Sequence, residues 1–139
     1  MIETEEGNIL GAFSTSKWKK SKEFYGDSNG FIFQLSPTLS VFHPTGTESN
    51  FVKLHDGLGF GGSKDMPRIF IPASMESCTA GVMDKTFREG NLLTADSLEK
   101  FNIKSLEVWG VGGEDSIKKG LESRKEYREI TDSSIYNAR

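Results

Sequence analysis

Along this chain the apolar residues recur at every second position over short runs, and the runs are broken by Gly, Pro, Asn, Asp and Ser. A period of two belongs to a strand with one buried face, because successive side chains of an extended chain point to opposite sides. Residues 8–13 read as one such strand, with Gly11 at a close backbone approach. Phe31, Phe33 and Leu35 alternate with Ile32 and Gln34, Ser36-Pro37 turns the chain, and residues 39–42 return as the second arm of a hairpin. Residues 51–54 and 68–71 are two more strands. The second lies between Pro67 and Pro72, which suit strand ends because proline donates nothing to a ladder. Between them, residues 58–62 carry little side chain, so close backbone packing or a bulge is expected there. The acidic start, residues 1–6, reads as frayed, and residues 74–93 lack a clean period and read as loops and short helical turns.

The run from Phe101 through Val108 to Trp109 stands out as the strand around which the others are organised. A tryptophan is costly to expose, so this strand is expected to cross the core of a sheet. Gly110, Gly112 and Gly113 then let the chain leave sharply. Glu114 and Asp115 follow, where carboxylates favour a helix N-terminus, and residues 116–130 predict a surface helix. Its apolar stripe is short, since Ile117 and Leu121 share their face with Arg124 and Arg128.

With 139 residues, 15 glycines and four prolines, the composition fits one mainly β domain of short strands and tight turns. A net charge of −3 gives no overall attraction to nucleic acid or an anionic membrane. Locally the balance differs, because Lys17, Lys19, Lys20 and Lys22 surround Trp18. This stretch is either a solvated loop with Trp18 tucked inward or a docking patch for an acidic partner. One cysteine excludes an internal disulfide. No apolar run suggests a leader or membrane insertion, so a cytoplasmic location is expected.

Catalytic and cofactor motifs fail on their chemistry. Residues 59–64 invert the Lys and Ser of a phosphate loop and lead to a strand where a helix is needed. In residues 110–113 the dinucleotide spacing would set Asp115, beside Glu114, against a pyrophosphate. His43, His55 and Cys78 lack metal-ligand spacing, and no serine sits in a nucleophile elbow. Cofactors are therefore expected to be none, and Glu107, without a second carboxylate at fixed spacing, reads as structural or partner-facing. Cys78 is either a small buried hydrophobe or a redox-sensitive thiol.

Six stretches in order carry a resemblance: 7–13 (GNILGAF), 24–26 (FYG), 31–35 (FIFQL), 59–62 (GFGG), Ser77-Cys78 and 106–110 (LEVWG). Together they resemble the TLDc domain of oxidation-resistance proteins, with Gly11, Phe13, Gly26, Glu107, Trp109 and Gly110 at its motif positions. The resemblance implies a two-sheet antiparallel β-sandwich with peripheral helices, and an α+β class through a C-terminal helical extension over 114–139. It also implies resistance to oxidative stress, binding to subunits of the vacuolar proton-pumping ATPase, and no catalytic residues. The family's domain begins upstream of the Gly-Ala-Phe strand, and Thr79-Ala80-Gly81 stands where an aromatic is usual. Residues 1–139 are thus expected to be a single TLDc-like domain lacking its N-terminal part, with the 8–13 strand as an open, self-associating edge. For the partner surface the candidates are Ile117, Lys118, Leu121, Arg124 and Arg128, with Trp18 and its lysines second. The function is expected to be a non-enzymatic protective module. The alternative is a thiol-dependent antioxidant enzyme or peroxide scavenger acting through Cys78.

Overall fold

The computed structural model describes residues 1–94 and 98–110, which form two antiparallel sheets. In the first sheet β1 (Ile2–Thr4), β2 (Ile9–Phe13), β4 (Phe31–Ser36), β5 (Ser40–Phe42) and β11 (Ile103–Leu106) lie in the order β11-β1-β2-β4-β5. The second holds β3 (Ser21–Tyr25), β6 (Val52–Leu54), β7 (Gly57–Phe60), β8 (Ile69–Pro72), β9 (Cys78–Ala80) and β10 (Lys100–Phe101), in the order β10-β9-β8-β7-β6-β3. One buried cluster draws on both, with Ile2, Leu10, Ile32 and Leu106 from the first sheet and Val52, Leu58, Ile69, Ile71 and Phe101 from the second. The mainly β expectation holds. No helix occurs among the described residues, whose connections carry no 3.6-residue apolar period, and the expected helix over 116–130 lies outside them.

Three expectations about the first sheet are corrected. Residues 1–6 are not frayed: Ile2 and Thr4 point inward at 3% and 1% exposure, while β1 pairs with β11 on one side and β2 on the other. Acidic Glu3 disguises the alternation because it occupies the outer face between buried Ile2 and Thr4, and exposed Glu5 and Glu6 follow in the turn. In consequence β2 is no edge, since β1 flanks it at Ile9 and Leu10 and β4 along its whole length. The 101–109 run does not cross a core as one strand. It changes sheets at Asn102, with β10 at the edge of one sheet and β11 at the edge of the other. The ladder stops where Glu107 and Met1 exchange bonds: Glu107 N–H donates to the Met1 carbonyl at 2.8 Å and the Met1 amine to the Glu107 carbonyl at 2.7 Å. Trp109 lies beyond the end of β11 and is 69% exposed.

In β4 it is Ile32 and Gln34 that face the core, so Phe31, Phe33 and Leu35 lie on the outer surface. Phe31 stacks on Phe13 at 5.2 Å between ring centroids. Gly11 makes room for this row, because a Cβ there would come within 2.6 Å of the Phe33 ring tip. The glycine-rich 58–62 stretch packs closely, as expected: β7 is buried throughout, and the ring of Pro67 would lie 3.0 Å from a Cβ on Gly59. Residues 74–93, read as loops and helical turns, contain β9 instead, a strand too short to show a period.

Candidate functional site

Glu107 and Trp109 are brought together beyond the end of β11. The indole Nε1–H donates to Glu107 Oε2 at 3.0 Å, so the carboxylate orients an exposed ring. The Met1 amine donates to the Glu107 backbone carbonyl, and burial holds its pKa below the ordinary amine value against the pull of the Glu107 charge. Gly110 follows, exposed. This end of the sheet therefore carries an exposed aromatic ring tied to a carboxylate.

Trp18 lies at the far edge of the other sheet. It is half-buried against the core, 6.4 Å from the Phe60 ring, and anchors the loop that leads into β3. Lys17, Lys19, Lys20 and Lys22 all remain exposed around it, so both features weighed in the sequence are present at once: an inward tryptophan and an outward basic strip. Tyr25 closes the loop by accepting the Lys19 backbone N–H at 2.9 Å. Gly26 ends β3 at φ +108°, a conformation L side chains rarely adopt, with Phe51 Cβ 3.2 Å from any added Cβ. Glu107 and Trp109 are thus brought together, and Trp18 stands on the other sheet. Ile117, Lys118, Leu121, Arg124 and Arg128 fall outside the described residues.

Cys78 is fully buried on β9. Loss of hydration disfavours its thiolate and pushes the thiol up from 9.0 to about 11. This is the opposite of what a peroxide-reactive cysteine needs. In the native protein Cys78 should react with a small disulfide reagent at pH 8 far more slowly than after denaturation in urea. The sign of its pH linkage is also set. Between 9 and about 11 the unfolded thiol is ionised while the folded one keeps its proton, so stability falls as pH rises through that window. Native-state labelling as fast as that of the unfolded chain would contradict both statements.

Sequence reasoning missed the most elaborate polar assembly, centred on Arg68 and Asp84. Their side chains are 0% and 4% exposed and joined at 2.9 Å. Arg68 also donates through Nε to Gly81 O at 2.9 Å, through Nη1 to Arg88 O at 2.8 Å and through Nη2 to Gly90 O at 2.9 Å. Asp84 accepts the backbone N–H groups of Gly62 and Thr86, each at 2.8 Å. This assembly is a clamp on the 81–90 segment. Among the described residues no group of three or more His, Cys, Asp and Glu side chains could hold a metal, and no helix is long and apolar enough to cross a membrane.

Comparison with known proteins places these features. The family model described as "TLDc domain" matches residues 1–112. The chain belongs to the TLDc-domain family. The match includes β1 and ends two residues beyond Gly110, so the Glu107–Trp109 pair lies inside the matched stretch. Among relatives, "MTOR-associated protein MEAK7" of Xenopus laevis is 29% identical over 127 residues, covering 81% of this chain and 26% of the relative. The protein of the same name from Danio rerio is 30% identical over 120 residues, covering 81% and 26%. "Oxidation resistance protein 1" of Rattus norvegicus is 31% identical over 115 residues, covering 78% of this chain and 13% of its own length. The chain therefore spans about a quarter of the length of the MEAK7 relatives.

Proposed function

We propose that this TLDc chain is a non-catalytic protective module, acting in resistance to oxidative stress by binding a protein complex in the cytoplasm. The observation that carries the reading is the family membership, with relatives named for oxidation resistance and for association with another protein. The chemistry of the described residues supports it: the single thiol is buried with a raised pKa, and Glu107 is engaged with Trp109. The thiol-dependent alternative gains no support from the same observations. In this reading the two sheets face each other as a β-sandwich, since one buried cluster draws on both.

The partner proposed is the vacuolar proton pump, contacted through Ile117, Lys118, Leu121, Arg124 and Arg128. Ile117 and Leu121 supply a small apolar anchor and the basic side chains fix register, a division of labour common at interfaces. Replacing Ile117 and Leu121 by Ser is expected to reduce recovery of pump subunits with the tagged chain while far-ultraviolet circular dichroism stays unchanged. Recovery undiminished after residues 114–139 are deleted would remove this segment as the contact. No pump subunits recovered with the intact chain would remove the partner.

A further inference from the structure

The strip at the start of β3 places four exposed lysines, at 17, 19, 20 and 22, with no acid between them, in a chain whose net charge is −3. Among the described residues the lysine found within 4.0 Å of a carboxylate is Lys104, on the opposite sheet, so no described carboxylate pairs with the strip. The nearest acids in sequence are Glu23, exposed on β3, and Asp27, which is held by Thr15 Oγ1 at 2.8 and 2.9 Å.

Lysines on an edge strand commonly serve to block unwanted strand pairing. That role does not account for this strip. As a pairing template β3 is already irregular: its ladder with β6 breaks register between Ser21 and Tyr25, and Ser21 Oγ donates to Glu23 O at 2.8 Å and accepts Glu23 N–H at 3.1 Å. Moreover Lys17, Lys19 and Lys20 precede the strand, where there is no ladder to protect. They stand instead on a loop fixed from beneath by Trp18 against Phe60.

We propose that this strip binds a carboxylate-rich protein segment, held by side-chain charge and not by strand addition. The aromatic neighbours argue against nucleic acid. Lys19 Nζ covers the Tyr25 ring at 5.2 Å and Lys53 Nζ lies 5.9 Å from the Phe24 centroid, so each ring already has a cation over it where a base would stack. Against a lipid surface stands the inward tryptophan, which leaves no apolar wedge among the lysines. The strip also contains no arginine, the residue suited to bidentate phosphate contacts.

The inference deepens the proposed binding role by naming a second surface and its partner's chemistry, and its test does not involve the pump. The probe is a fluorescein-labelled decaglutamate peptide, titrated with the whole chain and followed by anisotropy at low and physiological salt. Three screened surface contacts removed together in K17Q/K20Q/K22Q should weaken binding about tenfold or more. The equally charged control K85Q/K100Q/K104Q should stay within about twofold. Raising the salt should weaken binding of the wild-type chain and of the control alike. Equal losses in both triple variants would reduce the effect to net charge and overturn the proposal. So would absence of peptide binding, or tighter strip-dependent binding to phosphatidylserine vesicles or to a twenty-nucleotide oligothymidine. Peptide binding intact in a chain that recovers no pump subunits would leave this inference standing and remove the pump alone.

Discussion

Replacing Arg68 by methionine is expected to cost the domain about 3–5 kcal/mol, the usual penalty for breaking one side of a buried ion pair. Methionine fills much of the volume but leaves the Asp84 carboxylate, 4% exposed, without its countercharge. It also removes the donors that satisfy the carbonyls of Gly81, Arg88 and Gly90. Lysine should rescue little, because an ammonium cannot reproduce a planar fork that reaches five separate acceptors. Stacking of the guanidinium 5.4 Å from the Phe42 centroid would be lost as well. Urea unfolding followed by tryptophan fluorescence measures the effect as a lower midpoint. A loss below about 1 kcal/mol, the range of an exposed pair, would show that the clamp does not hold the 81–90 segment.

The strands with clean alternation were legible, and β4, β5, β6 and β8 fall within a residue or two of where the pattern puts them. What the pattern could not supply was which face of β4 turns inward, since Phe31, Phe33 and Leu35 look more like core residues than Ile32 and Gln34. The answer lies in the partner strand: Leu10 pairs opposite Gln34, and Gln34 itself is satisfied by donating to the Leu92 carbonyl at 3.1 Å. Trp109 misled for a related reason. Its size argues for burial, but it lies three residues past the end of β11, where its ring is held by Glu107 and not by a sheet. The Arg68–Asp84 clamp was illegible because its partners lie sixteen residues apart on a segment without periodicity, and because most of its acceptors are backbone carbonyls. On the strip around Trp18 the sequence left two readings open, and the fold makes them compatible by turning the ring inward and the lysines outward.

Phe87→Ala should be as damaging as the loss of Arg68, even though Phe87 lies outside every regular strand. Its side chain is 2% exposed, among the largest that are fully buried, and it meets Phe51 edge-on at 6.0 Å. Truncating a buried phenylalanine removes its transfer free energy and leaves a cavity, together about 3–5 kcal/mol. Collapse around the vacancy is restricted, because Phe87 makes an isolated bridge with Pro44 and its neighbour Arg88 donates to the His43 carbonyl at 3.0 Å. The useful contrast is Phe33→Ala on the outer face of β4. Phe33 is only half-buried, so its truncation should cost less than about 2 kcal/mol. A sequence-based ranking would place Phe33, in an alternating strand, above Phe87. Arg68 Nη1 donates to the Phe87 carbonyl at 3.3 Å, so the two damaging substitutions act on one segment. Once either has released it, the other has less to lose, and the double variant should be destabilised by less than the sum. Additive losses would mean that the core and the clamp hold residues 81–90 independently, and a larger loss for Phe33→Ala than for Phe87→Ala would reverse the assignment of the buried face.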